Sequence, residues 1–380
     1  MAGAWQHPFY NQGTGGGGGG GGGGQGGGGG TNPWTVDLAS TFGSFWLALD
    51  TQNASLLFSE VNDNVSSRIN SVTDGGTWTD FGTYPPPLAS PPFPSPTPDF
   101  LDGKGTFQTT SGGVRWYALG VHHDPFSAAL VNAWLSVNNG VTWTATPINT
   151  TAWTNATLLG RIHGTDPNHL FLTKDPTGAA NEYDIDFLDV LGWIDKVQSL
   201  LGSPPMFIFN AIYDTGGSIF VGAHNFSTDQ AGLYFSQGGT TWVLLNGSTF
   251  TRVTEHILDI FAIDVNTIYV CTGGTTDGNA RIYKTTNGGA SWTVDYQVTG
   301  TETAFSSVTS RLIAIHGNQA GSLWCVGQDG IILRAPFAGT WAVDPVLPNT
   351  GEAYTDCKVL PNHVYVSGQT SGVIRKTLGP

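Results

Sequence analysis

Tyr283-Lys284-Thr285-Thr286-Asn287-Gly288-Gly289-Ala290-Ser291-Trp292-Thr293 is the stretch on which the reading of this chain turns. A short β-prone run enters a Gly-Gly turn, and a second run leaves it through a Ser-Trp pair. The figure recurs as Ser136-Val137-Asn138-Asn139-Gly140-Val141-Thr142-Trp143 and as Phe235-Ser236-Gln237-Gly238-Gly239-Thr240-Thr241-Trp242. A shortened copy runs Val72-Thr73-Asp74-Gly75-Gly76-Thr77-Trp78, with weaker echoes ending at Trp193 and Trp341. From Trp143 to Trp341 the Trp-to-Trp steps are 50, 49, 50 and 49 residues. A period of that length signals repeated supersecondary units. Where Asn or Asp stands in the turn it can bond the backbone two residues on, and Gly supplies the positive φ of a tight turn.

The figure resembles the Asp-box, or BNR, repeat, written Ser-x-Asp-x-Gly-x-Thr-Trp. Asn138 and Asn287 stand where that family carries Asp, Gln237 fills the slot in a third copy, and Asp74 is one residue out of register. The resemblance implies a β-propeller, with each box on the turn between the third and fourth strands of a blade. The boxes themselves read as structure: the Trp covers the hydrophobic layer between neighbouring blades.

Pro33-Trp34-Thr35-Val36-Asp37 repeats the pattern of Ser291-Trp292-Thr293-Val294-Asp295 and Thr340-Trp341-Ala342-Val343-Asp344. Trp34 is therefore a fourth-strand Trp with no inner strands before it. Three strand patterns near Tyr354–Val359, Val364–Gly368 and Val373–Thr377 have no Trp after them. The N-terminal strand is expected to complete that last blade and leave no long edge exposed. Trp34, Trp78, Trp143, Trp193, Trp242, Trp292 and Trp341 then give an all-β, seven-bladed propeller over residues 32–380. The interval from Trp78 to Trp143, 65 residues, is longer than the others because of a Pro-rich run, Tyr84 to Pro98. Such a run favours stiff polyproline geometry, and a loop between blades is expected there.

Residues 1–31 read as a separate object. Gly15–Gly24 and Gly26–Gly30 form a glycine-rich tether, interrupted by Gln25. It has no apolar surface to bury against its ordering entropy. Ahead of it, Trp5, His7, Phe9 and Tyr10 make an aromatic peptide at the end of a leash, expected to dock into a partner. No basic start and apolar core of a secretory signal is present.

Among the 380 residues the charged fraction is 11% and the formal net charge −14, which argues against nucleic acid or an anionic membrane as partner. No apolar run is long enough to span a bilayer. Cys271, Cys325 and Cys357 fall in apolar strand patterns, the first two at matching places in successive repeats, and are expected as buried, reduced thiols.

Sialidases, which share the Asp-box, need three arginines, a Tyr nucleophile with its Glu, and an acid Asp. The first arginine's Arg-Ile-Pro is missing here, and the chain holds five Glu. No catalytic residue, cofactor or metal site is assigned. His122, His123 and Asp124, with His224 in a comparable loop of a later repeat, are the one polar cluster singled out as a ligand-binding face. Two adjacent side chains on an extended chain point opposite ways, so a solvated loop is the competing reading. His163, His256 and His316 are placed near inner strands.

The expected function is a non-enzymatic presentation module of a large assembly, a phage or virus particle, as fibre, decoration or receptor-binding protein. Its anchor to a capsid or tail component is residues 1–31, and its location is the virion. The alternatives are a glycan-active enzyme, a lectin-like propeller on a cell-surface glycan at an extracellular site, and an assembly factor similar to the Asp-box propellers that help build photosynthetic complexes.

Overall fold

In the computed structural model, the described residues are 33–39, 44–50, 55–62, 66–84, 106–109, 115–120, 132–136, 144–147, 158–166, 169–175, 185–189, 192–195, 207–215, 217–225, 230–239, 241–245, 256–273, 280–299, 311–318, 321–336, 339–346, 352–368 and 372–378. They hold 28 strands. These strands form seven four-stranded antiparallel sheets. A 3-10 turn at Gln328–Gly330 is the one helical piece among the described residues.

Six sheets are continuous in the chain and order their strands as the sequence does: sheet 1 (residues 44–84), sheet 2 (106–147), sheet 3 (158–195), sheet 4 (207–244), sheet 5 (256–297) and sheet 6 (312–343). Sheet 7 is built from both ends of the chain. Tyr354–Val359, His363–Gly368 and Gly372–Thr377 are its first three strands, and Thr35–Leu38 is its fourth. That last strand runs antiparallel to its neighbour, with Thr35 opposite Arg375 and Val36 opposite Ile374, as the Trp-Thr-Val-Asp echo led us to expect.

The first strands of the sheets touch one another in cyclic order, sheet 1 to sheet 2 and onward to sheet 7, whose Tyr354–Val359 meets Ser44–Asp50 of sheet 1. Both faces of a sheet are thereby covered. The second strands of sheets 5 and 6 are accordingly buried along their length rather than at alternate positions. Ile268–Gly273 of sheet 5 is buried at every position, and Ser322–Gly327 of sheet 6 at every position after Ser322. Fourth strands are short and lie at the sheet edges, and those whose side chains are described carry exposed residues; Val36 is 63% exposed and Val294 51%.

Apolar clusters fill the spaces between sheets, and a repeat Trp sits in each of those described. Trp292 joins the cluster between sheets 4 and 5, Trp341 that between sheets 5 and 6, and Trp34 that between sheets 6 and 7. Trp78 packs against the cluster between sheets 7 and 1, around Leu47, Tyr365 and Val373. The large area a Trp buries explains why this residue marks the period.

Candidate functional site

The best-defined turn is the box of sheet 5. Thr285 and Asn287 bond through their side chains at 2.9 Å, and Asn287 Oδ1 accepts the Ser291 N–H at 2.9 Å. Asn287 Nδ2 donates to Ser291 Oγ at 2.8 Å, and the Gly289 N–H donates to Thr285 Oγ1 at 3.0 Å. Gly288 and Gly289 hold φ of 67° and 88°, a region that side-chain-bearing residues rarely adopt. The turn is closed on itself through the Asn287 side chain.

Polar groups of the first strands are spent on neighbouring sheets. In sheets 1, 4, 5, 6 and 7 the first strand carries an irregularity in its ladder, after which stand Trp46, Ala211, Asp259, Ala314 and Asp356 respectively. Asp259 Oδ2 accepts the N–H of Ile315 in sheet 6 at 3.0 Å, and Asp356 Oδ2 accepts that of Leu47 in sheet 1 at 3.2 Å. Two residues beyond Ala314 lies His316, and two beyond Asp356 lies Lys358. His316 Nδ1 accepts the Val359 N–H at 3.2 Å, and in sheet 3 His163 Nδ1 accepts the Asp214 N–H at 3.0 Å. Accepting at Nδ1 fixes each neutral ring with its proton on Nε2.

A row of rings crosses four sheets at this level. His163 stacks on Tyr213 with centroids 4.7 Å apart, Tyr213 meets Phe261 edge-on at 5.9 Å, and Phe261 meets His316 at 5.1 Å. Burial, and then the carboxylates of Asp259 and Asp214, push the Tyr213 hydroxyl well above the ordinary tyrosine range. At the end of the row Lys358 Nζ lies 2.8 Å from Asp356 Oδ1. Burial disfavours the charge on Lys358, but Asp356 and Asp259 outweigh it, and its pKa stands above that of an exposed lysine.

The junction of sheets 7 and 1 is more polar. Asp74, the box residue that is out of register, turns away from its own turn. Its Oδ2 accepts the Asn362 N–H at 2.8 Å, and its Oδ1 lies 2.7 Å from His363 Nδ1. The Gly75 N–H donates to the Tyr365 hydroxyl at 2.9 Å, and Arg375 Nη1 reaches the Gly76 carbonyl at 3.4 Å. Gly75 has φ of 73°, and a Cβ there would sit 2.8 Å from His363, so glycine is needed twice over. Asp37 of the closing strand receives Arg375 Nη2 on Oδ1 at 3.0 Å and Trp78 Nε1 on Oδ2 at 2.8 Å. Burial raises the Tyr365 pKa although Gly75 and Arg375 pull it down.

An equivalent Trp-to-Asp bond joins sheets 6 and 5, where Trp341 Nε1 donates to Asp295 Oδ2 at 2.7 Å. Between sheets 7 and 6 a lysine takes over: Lys376 Nζ lies 2.8 and 2.7 Å from the two Asp344 oxygens, over the rings of Trp34 and Trp324. Asp37, Asp295 and Asp344 are the fourth residue of the Trp-x-x-Asp echo. The sequence showed the echo; its bonding role was missed.

Of the residues singled out from sequence, Trp5, His7, Phe9, Tyr10, His122, His123, Asp124, Asn138, Trp143 and the Pro-rich run from residue 85 lie outside the described residues. His224 is not in a loop: it belongs to the second strand of sheet 4, Ser218–Asn225, opposite Ala231. Trp193 lies on the fourth strand of sheet 3, Gly192–Asp195. Trp242 is buried on the fourth strand of sheet 4. Cys271, Cys325 and Cys357 are free and buried. Cys271 and Cys325 share second strands but not positions. Cys271 is opposite Asp259, which follows the ladder irregularity, whereas Cys325 is opposite Ile315, one residue beyond the corresponding Ala314. That offset turns them onto facing sides, and they meet in the cluster between sheets 5 and 6. Burial, then the bond to Cys271, pushes the Cys325 thiol well up, leaving it un-nucleophilic. Among the described residues no group of three or more His, Cys, Asp or Glu is placed to hold a metal ion.

No family model matches the chain, and no curated protein matches it in sequence. Solved structures do resemble it. YCF48 bound to a D1 peptide is 14% identical with a TM-score of 0.58, over 92% of this chain and 98% of that one. The RRP9 WD40 repeats are 7% identical with a TM-score of 0.59, over 92% and 99%. A catalytically inactive virginiamycin B lyase from Staphylococcus aureus with quinupristin is 10% identical with a TM-score of 0.54, over 91% and 99%. At these identities the likeness establishes the fold, a β-propeller.

Proposed function

We propose that this chain is a non-enzymatic protein-interaction module: a seven-bladed propeller, its ring closed by Thr35–Leu38, held in a larger assembly by residues 1–31. Seven sheets whose first strands touch in cyclic order support the blade count. The observation that carries the non-enzymatic reading is how the inner polar groups are used. His163, Asp259, His316, Asp356 and Lys358 each bond to a backbone or side chain that fixes one sheet to another or to itself. A general acid or base needs a group turned toward a substrate instead.

Protein recognition is supported by the propeller fold that the chain shares with YCF48 bound to a D1 peptide. The tail supplies the anchor in this reading. Trp5, Phe9 and Tyr10 are the residue types that dominate small interfaces, and in the sequence they precede a glycine-rich run with no apolar residues. A virus particle is the setting we infer, with the propeller presented outward; the weakly charged, Thr-, Asn- and Gly-rich composition suits an exposed β module.

Replacing Trp5, Phe9 and Tyr10 together by Ala tests the anchor. The variant is expected to fold with the parent's thermal midpoint and to be lost from the assembly when particles or complexes are purified. Undiminished incorporation overturns the tail as anchor and moves that role to a propeller face.

A further inference from the structure

Thr35–Leu38 differs from the fourth strands of the six continuous sheets in one respect: no turn connects it to the strand it pairs with. Its ladder to Gly372–Thr377 is three residue pairs long and is interrupted between Val36 and Leu38. What holds it is side-chain chemistry, and that chemistry comes from two sheets at once. Arg375, on the strand it pairs with, grips one oxygen of Asp37, while Trp78 of sheet 1 grips the other. The same Arg375 reaches the Gly76 carbonyl, in the turn that carries Trp78. Tyr365 and His363 of sheet 7 hold that turn through Gly75 and Asp74.

We propose that Asp37 is a clasp that makes the closing strand dependent on the docking of sheet 1. While sheets 7 and 1 are joined, Asp37 is fixed from both sides and Thr35–Leu38 stays in the ladder. With the clasp broken, the strand leaves sheet 7 as a unit while the six continuous sheets keep their structure. The ring thus contains a gate, placed where the two chain ends meet. Its release bares the edge of Gly372–Thr377, a template for another strand of the same pattern.

The molecule contains its own control. Asp295 makes the corresponding bond to Trp341 at 2.7 Å, but its strand, Thr293–Gln297, is tied to its sheet by the Asn287 box turn. Hydrogen exchange on the full chain separates the two cases. Asp37→Asn keeps the side-chain shape and removes the charge, and it is expected to speed amide exchange in Thr35–Leu38 and Gly372–Thr377 by roughly ten- to hundredfold, with other sheets unchanged. Asp295→Asn is expected to change exchange in Thr293–Gln297 by no more than about threefold, since the turn still holds that strand. Trp78→Phe, which loses the Nε1 donor but keeps most of the ring, should reproduce the Asp37→Asn pattern and serves if that variant does not fold. Equal acceleration at both strands, or acceleration spread evenly over all seven sheets, overturns the clasp.

Discussion

The seam between sheets 5 and 6 and the seam between sheets 7 and 1 are two solutions to one problem. At the first, an apolar cluster containing Cys271, Cys325 and Trp341 is joined by the Asp259 and Asp295 bonds. At the second, the apolar cluster around Leu47, Tyr365 and Val373 is accompanied by a network of Asp37, Asp74, His363, Arg375 and Trp78. The difference follows from where the chain is continuous. A strand that follows its neighbour through a tight turn has little loop entropy left to lose. Thr35–Leu38 must be brought to Gly372–Thr377 from the far end of the chain, and directional side-chain bonds offset that cost.

The largest expected effect tests this contrast by removal. Deleting residues 1–39 takes away the closing strand and Trp34, and with it a buried Trp whose loss alone is worth about 3–5 kcal/mol. Deleting residues 1–31 leaves both in place. Urea or thermal denaturation should show a large drop in midpoint for the longer deletion and almost none for the shorter. Equal midpoints would mean that the ring does not need this strand, and the two seams would then be alike.

Next come two carboxylates at corresponding positions. Asp259 and Asp356 both follow the ladder irregularity, and each accepts an N–H of the next sheet, but Asp356 also bonds the buried Lys358 directly. Asp356→Ala leaves that ammonium without its main partner and should cost about 3–5 kcal/mol. Asp259→Ala strands one backbone N–H and should cost about 1–3 kcal/mol. Chemical denaturation of both variants checks the order; if it is reversed, the seam between sheets 7 and 1 is not the one that depends on charge.

Much of the fold was legible because the period is carried by local chemistry. Gly288 and Gly289 announce a turn, Trp292 announces a packed face, and the repetition of both fixes sheet boundaries. Trp34 could be assigned to the last sheet because the Trp-Thr-Val-Asp echo travelled with it. The partners of those residues were not legible. Nothing near Asp37 in the chain points to Arg375, and nothing near Asp74 points to Asn362 or His363. Such contacts depend on how sheets meet after the ring forms. Strand register was the other blind spot. Cys271 pairs with Asp259 but Cys325 with Ile315, one residue beyond the corresponding Ala314, and a one-residue offset shifts which face a side chain takes. That is why Cys271 and Cys325, which look equivalent in sequence, face one another instead. His224 was misplaced for a simpler reason: the strand Ser218–Asn225 runs further than its apolar pattern.

The smallest expected effect compares the two turns directly by exchanging their amide and acid. In sheet 5, Asn287 is bonded within its own turn: Oδ1 accepts from Thr285 and Ser291, and Nδ2 donates to Ser291 Oγ. Asn287→Asp keeps the first two bonds. The Ser291 hydroxyl can rotate to donate to the new oxygen, so the change should lie within about 0.5 kcal/mol. Asp74 has no such freedom. Both its oxygens face donors on sheet 7, the Asn362 N–H and His363 Nδ1. Asp74→Asn turns an NH2 group toward one of them whichever way the amide sits. That loses a charge-assisted bond and sets donor against donor unless the His363 ring changes tautomer, for an expected cost of about 1–2 kcal/mol. Paired denaturation curves would show the asymmetry. If Asn287→Asp proves the costlier of the two, the shortened box of sheet 1 is an ordinary turn, and its displaced Asp does not hold the seam.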